Sequence, residues 1–382
     1  MAMSMRERIL AVYRGETPDV VPYMLDLSHW FYHKNQRPWD LSVAYDTPEH
    51  ELIDYHKQVG AGFYIPNLGS FYSAAYGNVV QSEVTKEVHD GVPEIVWRLT
   101  TPLGSIERRR MWEEASYSWA ITRWGVQSEQ DLRVLGCALA SRTYAPMWDR
   151  YQAWVVEVGD MGVVYLSAGY SAMGHLLNYW LGISGTVYAA ADWPATLREV
   201  VDQINDNNLK LVDLLATSPA EIIIMGDNFS SDIQPPRFFQ KWSRPYYTEA
   251  IRRLHEAGKC VAVHIDGKLR GAIGMIRDAG ADCGDAITPA PRNVLFRGMG
   301  DLTPALCREE AGPDFILSGG VPPTLWLPEA PIEIFKKSVL DWLDLKKRGP
   351  RLIANAGDQV PPHADKDRIE IMRDLVEKYG RY

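Results

Sequence analysis

Short apolar segments alternate with stretches of helical patterning along most of this 382-residue chain. Each segment is too short for a buried helix, and several are bounded by glycine, so they are typical of buried strands. They begin near residues 21, 62, 163, 221, 260, 283, 315 and 352. Strands that alternate with helices in this number favour a (β/α)8 barrel over an open doubly wound sheet. The phosphate-binding turns GxGxxG and GxxxxGK[ST] are absent, which also disfavours the open sheet.

One region breaks the alternation. The sequence NVVQSEVTKEVHDGVPEIVWRLTTPLGSIERRRMW, residues 78–112, alternates apolar and polar residues and turns at Asp90-Gly91 and Pro102-Leu103-Gly104. This pattern is typical of antiparallel strands joined by tight turns. We therefore predict one α/β domain over residues 1–382, a (β/α)8 TIM barrel with an added antiparallel β segment near residues 78–112.

Charge and cysteine usage restrict the partners. A formal net charge of −9 and a pI near 5.5 argue against a nucleic-acid or anionic-membrane surface, and the basic run Arg108–Arg110 is isolated. The four cysteines lack CxxC spacing and lie in or beside apolar stretches, as reduced core thiols do. Neither a signal-peptide pattern nor a window of ~18 apolar residues is present. We expect a cytoplasmic protein with no nucleic-acid or membrane partner.

Polar side chains follow the predicted strands. In a barrel of this kind, the carboxyl ends of the strands form the functional face, so these side chains are expected to meet there. They are His29, Asn67, Tyr170, His175, Asp227, Asn228, His264, Asp266, Thr288, Asn355, Asp358 and His363.

The segment GKCVAVHIDG carries the sharpest of these candidates. His264 and Asp266 lie two positions apart at the exit of a buried strand and therefore share one face. For three other candidates, a purely structural role is an alternative to a functional one. Asp227 is also placed to cap a turn, His175 to pack within a helix, and His363 to lie in an exposed loop.

Two kinds of chemistry are open to these residues. His264, Asp266 and Asp358 are candidate ligands of a Zn²⁺ ion that keeps an open position for substrate. Without metal, Asp227, His264 and Asp266 are candidate catalytic groups for acid and base chemistry. With 13 Trp and 19 Tyr against 9 Phe, the chain is also rich in aromatic rings that suit pocket walls. Candidate substrate-binding residues are His29, Trp30, Tyr170, Asn228 and His363.

Several longer motifs carry a family resemblance. They are RERILAVYRGETPDVVP, SAGYSAMGHLLNYWLG, MGDNFSSDIQPPRFFQKWSRPYY, HIDG with AGADCGDAITPAP, LSGGVPP and IANAGDQVPPH. With them the chain resembles, over nearly its whole length, the uroporphyrinogen decarboxylase superfamily. These are (β/α)8 proteins that include the decarboxylase of haem synthesis and zinc-dependent methyltransferases that service corrinoid proteins.

Departures from the family motifs point to a branch. The family's decarboxylases bind substrate carboxylates with an arginine-rich segment, whereas the corresponding stretch here, YMLDLSHWFYHKN, has no arginine. The corrinoid methyltransferases place zinc on an HxC pair and a later GC; here these read His264-Ile265-Asp266 and Gly357-Asp358. Aspartates in place of thiolates give a harder site, or none, and disfavour a thiol substrate. The added β segment with TPLG is similar to that of the O-demethylase branch.

The resemblance implies a methyltransferase that moves a methyl group from a methoxylated aromatic small molecule to a corrinoid protein. The cobalamin would be held by that partner, with zinc as a tentative cofactor; a homodimer stays open. The alternative is a metal-free decarboxylase of a small carboxylic acid, which uses Asp227 and His264. A second alternative is a binding module without catalysis.

Overall fold

The structure, a computed structural model, describes residues 2–37, 47–66, 68–290 and 300–382, so Asn67 lies outside the described residues. Its strands are β1 (Met24–Leu25), β2 (Gly62–Phe63), β3 (Tyr72–Ala75), β4 (Gln81–His89), β5 (Val92–Thr101), β6 (Gly104–Glu113), β7 (Ser118–Arg123), β8 (Thr143–Pro146), β9 (Leu166–Ser167), β10 (Ile222–Phe229), β11 (Cys260–Ile265), β12 (Cys283–Ile287), β13 (Ile316–Gly320) and β14 (Leu352–Asn355).

The α-helices of the described residues pack mainly between and outside these strands. They are α1 (Met5–Arg14), α2 (Ser28–Lys34), α3 (His50–Val59), α4 (Glu129–Ala140), α5 (Trp148–Val158), α6 (Ala172–His175), α7 (Gly182–Asp192), α8 (Pro194–Ala216), α9 (Pro236–Trp242), α10 (Arg244–Glu256), α11 (Ala272–Asp278), α12 (Pro304–Ala311), α13 (Ile332–Leu343) and α14 (Asp367–Tyr379). A π-helical turn, Leu176–Trp180, follows α6 directly.

Eight parallel strands close into a barrel. Strands β9 to β14 form a six-stranded parallel sheet, and β1 pairs with β2. A parallel bridge between Phe63 and Gly162 joins β2 to the segment before β9, and another between Tyr23 and Ala354 joins β14 to β1. The predicted (β/α)8 barrel is confirmed, and each of its strands begins close to the position that the apolar segments indicate.

The barrel interior changes from apolar to polar along the strands. Near the amino ends, an apolar cluster includes Ile222, Ala262 and Ile316, and α1 contributes Ile9 and Leu10 to it. Helix α1 is fixed by a capping box, in which Ser4 and Glu7 bond each other's backbone N–H groups, so it closes this end of the barrel. Because side chains alternate along a strand, the next inward position on each strand lies two residues further towards its carboxyl end.

The added β segment is larger than predicted. Strands β4 to β7 form a four-stranded antiparallel sheet that runs from Gln81 to Arg123, beyond the predicted end near residue 112. The inner side of this sheet packs Leu99 and Ile106 against an apolar cluster that α4 and α8 share. Strand β3, before the sheet, pairs with β8, after α4. The chain therefore leaves the barrel and returns to it through two neighbouring strands.

None of the helices in the described ranges combines the length and the apolar character that a crossing of the lipid bilayer requires.

Candidate active site at the barrel mouth

Polar side chains occupy the inward positions at the carboxyl ends of the barrel strands. His264 of β11 and Asp285 of β12 are register partners, and Ser318 and Asn355 hold the corresponding inward positions on β13 and β14. We call this set the polar layer; its members are Asp26, Tyr64, His264, Asp285, Ser318 and Asn355. Since the apolar cluster fills the opposite end, the polar layer forms the floor of the mouth.

Asp285 is the most buried acid of the polar layer. Its side chain is 0% exposed, and the Tyr64 hydroxyl donates a hydrogen bond to Oδ2, while Oδ1 has no partner in the described chain. Burial raises its pKa to about 7, and the negative charges of Asp358 and Asp26 contribute in the same direction. This carboxyl group is therefore substantially protonated near neutral pH.

Asp26, which follows β1, is a second carboxyl group of this kind. Oδ1 accepts hydrogen bonds from the Ser28 backbone N–H at 2.9 Å and from the Ser28 hydroxyl at 2.6 Å, and Oδ2 has no described partner. Burial raises its pKa to about 6 despite these bonds, which favour the charged form. Asp26 and Asp285 thus bring two proton-binding groups to the same end of the barrel.

His264, Asp266 and Asp358 lie within electrostatic reach of each other. Burial raises the pKa of Asp358; nearby His264 opposes this shift, and nearby Asp266 adds to it. The imidazole of His264 is half-buried, and its Nδ1 has no hydrogen-bond partner among the described residues.

These three residues do not form a preassembled metal site. Across the described ranges, no three His, Cys, Asp or Glu side chains are arranged to hold a metal ion. The donor types suit zinc, but their arrangement does not fit a three-ligand site. Zinc binding by these residues stays a prediction.

Asp227 lies within β10 and fastens the loop that follows β9. It is 1% exposed, and its carboxylate accepts hydrogen bonds from the Ser171 backbone N–H at 2.7 Å, from the Ser171 hydroxyl and from the Tyr247 hydroxyl at 2.8 Å. Burial raises its pKa, although these hydrogen bonds favour the charged form. Its bonds therefore reach the preceding loop and helix α10 rather than the turn that the capping alternative requires.

The residue after Asp227 is conformationally unusual. Asn228 has a φ of 48°, in the left-handed region, and it lies where the pairing of β10 with β11 is irregular. Asparagine tolerates this conformation better than most residues. The irregularity keeps Asn228 out of the regular strand ladder at the mouth, and its predicted contact with substrate stays a prediction.

Tyr170 and His175 belong to the loop and helix after β9. The Tyr170 ring packs edge-on against Tyr179 at 4.8 Å, and the ring of His175 lies 5.8 Å from that of Tyr170. Burial lowers the pKa of His175 well below its ordinary value, and nearby Arg142 and Arg108 add to this effect. His175 is thus a neutral residue packed against Tyr170, as its structural alternative states.

The other predicted wall residues divide into two groups. His29 and His363 lie at the rim, where the Nε2 of His29 is 2.8 Å from the Tyr117 carbonyl oxygen and the exposed ring of His363 lies 4.5 Å from that of His33. Burial lowers the pKa of His29.

Trp30, in contrast, has the contacts of a core residue. It is 3% exposed, stacks on Tyr55 at 5.3 Å and donates a hydrogen bond from Nε1 to the Ala364 carbonyl oxygen at 3.1 Å. These contacts account for its burial without a ligand.

Sequence reasoning missed several polar residues of this region. Asp26 and Asp285 are not among the predicted site residues. A carboxylate inside the apolar segment CGDAI is nevertheless a signal in the sequence, because acids are rarely buried without a function or a partner. The basic run Arg108–Arg110 is isolated in the sequence, yet Arg108 is buried against the π-helical turn. The signal in the sequence is that Arg108 and Arg110 lie two positions apart, a spacing that places both side chains on one face of a strand.

Comparisons with known proteins agree with this architecture. The uroporphyrinogen decarboxylase (URO-D) family matches residues 165–379, more than half of the chain. A solved structure, a methyltransferase from Methanosarcina mazei, is similar in fold with a TM-score of 0.63, at 12% identity, over 99% of this chain and 99% of that one.

A second solved structure is a type I 3-dehydroquinate dehydratase from Clostridium difficile with covalently modified comenic acid. It is 13% identical over 52% of this chain and 77% of that one, and its TM-score of 0.26 is too low to support an argument. The comparison with curated proteins gave no match.

Proposed function

Because the chain belongs to the uroporphyrinogen decarboxylase family, we propose that it is a methyltransferase that moves the methyl group of a methoxylated aromatic small molecule to a corrinoid protein. The likeness to a methyltransferase fold over the whole chain supports this choice within the family. Positions 266 and 358 hold aspartates where the resemblance places the cysteines of the thiol-activating methyltransferases, which supports an ether rather than a thiol as substrate.

The observation that best supports this proposal is the pair of buried carboxyl groups at the mouth, Asp26 and Asp285. Breaking an aryl methyl ether leaves the electron pair of the C–O bond on the phenolic oxygen, which then needs a proton or another positive partner. A carboxylic acid whose pKa lies near 7 is suited to donate that proton at neutral pH. The corrinoid, when its carrier protein is bound, supplies the nucleophile that accepts the methyl group.

The remaining residues have positioning and proton-transfer roles in this proposal. His264, beside Asp285 in the barrel, exchanges protons with the carboxyl groups or with the substrate oxygen, and Asp266 acts with it on the charge of Asp358. Asp227 holds Ser171 and thereby keeps Tyr170 at the mouth, where its ring forms an aromatic wall. Each role is assigned from the position or the hydrogen bonds of its residue, and substitution of that residue tests it.

The test is a methyl-transfer assay with methoxybenzoates, reduced cobalamin and the purified protein. We expect methylcobalamin, followed by its visible absorbance, and the matching phenol in equal amounts. A His264→Ala variant is expected to give neither product. Release of CO₂ from the acid without methylcobalamin would overturn the proposal.

The same assay tests decarboxylation, the second candidate. It is favoured by the same protonated carboxyl groups, since a decarboxylase must protonate the carbanion that CO₂ leaves behind. CO₂ and a shortened product would identify it.

The zinc prediction is tested separately by elemental analysis of the wild type and of a His264→Ala, Asp266→Ala double variant. About one zinc per chain, lost in the double variant, would support a metal-assisted reaction.

A further inference from the structure

Arginine side chains gather between the added sheet and the loop that follows β9. Arg108 and Arg110 lie two positions apart on β6, so they share one face of the sheet, and Arg142 precedes β8. We call these three residues the arginine cluster. Their charges overlap in effect: Arg142 and Arg108 both lower the pKa of His175, and Arg110 lowers the pKa of Arg108.

Arg108 is buried without a carboxylate. It is 3% exposed, and its guanidinium lies 4.2 Å from the Trp97 ring centroid, 4.7 Å from that of Tyr179 and 4.9 Å from that of Trp180. Its one described hydrogen bond, from Nη1 to the Tyr179 carbonyl oxygen, is long at 3.5 Å, and Nε has no partner. Burial and the charge of Arg110 lower its pKa to about 9.

The other two members are no better neutralised. Arg110 lies 4.9 Å from the Tyr179 ring centroid, and its buried Nε has no described partner. Arg142 donates only to neutral acceptors: the Leu139 carbonyl oxygen, Asn208 Oδ1 at 2.9 Å and His175 Nε2 at 3.5 Å. No ion pair with a described acid involves any member of the cluster.

The neighbouring arginine of the same strand shows the contrast. Arg109 projects to the opposite face of β6, where it forms ion pairs of 2.8 Å with Glu94 and with Glu107. The acids that pair with Arg109 thus lie on the outer face, whereas Arg108 and Arg110 on the inner face have no described ion pair.

Unpaired buried cations are expensive unless an anion joins them. Removing a charged group from water costs on the order of several kcal/mol unless an opposite charge or hydrogen bonds replace the solvent. Guanidinium groups stacked on aromatic faces keep their N–H edges free, and these edges match the two oxygens of a carboxylate. A planar carboxylate therefore supplies what the inner face lacks.

We propose that the arginine cluster binds the carboxylate of the substrate, so that the methyl donor is a methoxylated aromatic acid. The identity of the methyl donor rests on the proposed function, whereas the anion subsite does not.

The subsite connects to the barrel mouth through two tyrosines. Tyr179, whose ring contacts Arg108 and Arg110, packs edge-on against Tyr170. Tyr170 in turn lies within reach of both the Arg110 and the Asp227 charges. An aromatic ring held by its carboxylate at the cluster would therefore extend along Tyr170 towards the polar layer.

The experiment measures the equilibrium binding of 4-methoxybenzoate and of its neutral analogue methoxybenzene by isothermal titration calorimetry. The proteins are the wild type, Arg108→Gln, Arg110→Gln and the matched control Arg109→Gln. We expect the wild type to bind the acid at least about tenfold more tightly than the neutral ether. Each inner-face substitution should remove most of this preference, and Arg109→Gln should keep it.

Melting temperatures without ligand accompany the titrations. Arg108→Gln is expected to melt no lower than the wild type, because it removes an uncompensated buried charge. If that variant does not fold, Arg110→Gln, at a half-buried position, decides the matter.

Equal binding of acid and ether by the wild type would overturn the inference. So would unchanged preference in the inner-face variants, or an equal loss in Arg109→Gln. Charge-dependent binding without methyl transfer would contradict the proposed function and leave the anion subsite intact.

Discussion

His264 and Asp285 occupy paired positions on neighbouring barrel strands, and both side chains face the interior. One is an imidazole with an unpartnered nitrogen, and the other is a carboxyl group whose pKa burial raises to about 7. An imidazole and a protonatable carboxyl group therefore lie side by side at the floor of the mouth.

The substitution His264→Ala should abolish turnover and leave the melting temperature nearly unchanged. The imidazole is half-buried and makes no described hydrogen bond through Nδ1, so its removal leaves no known partner unsatisfied. Product assays and thermal denaturation check this pair of results. A large fall in melting temperature would show a core role instead.

Asp285→Asn should raise the free energy of unfolding at pH 8 and change it little at pH 4. The folded protein raises the pKa of this acid from 3.8 to about 7. Between these values the folded state binds the extra proton, so the stability of the wild type falls as pH rises. The difference between the proteins at pH 8 is at most roughly 4 kcal/mol.

Urea denaturation at pH 4, 6 and 8 measures this difference. The amide keeps the acceptor for the Tyr64 hydroxyl, so the variant should fold. A constant difference at all three pH values would contradict a raised pKa in the folded state.

Asp227→Ala should destabilise the protein more than Tyr247→Phe. The first substitution leaves the Ser171 backbone N–H, the Ser171 hydroxyl and the Tyr247 hydroxyl without their acceptor. Each unsatisfied buried donor costs about 1–3 kcal/mol, and Tyr247→Phe removes only one of the bonds. Denaturant titration compares the two variants, and equal losses would mean that water replaces the carboxylate.

Tyr170→Ala and Trp30→Ala should separate a pocket wall from a core residue. The Tyr170→Ala substitution is expected to raise KM more than it lowers kcat. This pattern marks binding interactions that the ground state and the transition state share. Trp30 is expected instead to lower stability by about 3–5 kcal/mol, as large buried aromatics do. Steady-state kinetics and thermal denaturation of both variants test this contrast; a change in KM for Trp30→Ala without loss of stability would reverse its assignment.

Much of the barrel could be predicted because its strands are short, apolar and bounded by glycine. Strand Cys283–Ile287 has the bounds that the sequence indicates, and the last helix differs by one residue at its start. The extent of the added sheet was underestimated because β7, with the sequence SWAITR, follows a turn that lacks the Gly or Pro signal of the earlier ones.

The candidate site was harder to predict, because it depends on which face each side chain takes. Asp285 is visible in the sequence, but its place beside His264 follows only from the register of two strands. Arg108 is likewise visible, yet the rings that bury it include Tyr179 and Trp180, about seventy residues later in a π-helical turn that no periodicity indicates.

The paired strands β3 and β8 give the added sheet a further property. The whole excursion between them, residues 76–142, precedes the start of the family match at residue 165 and contributes no strand to the barrel ring. Because this segment lies outside the barrel ladder, changes within it leave the register of the barrel strands intact. On the proposed function, such changes would alter which methyl donor binds and leave the polar layer as it is.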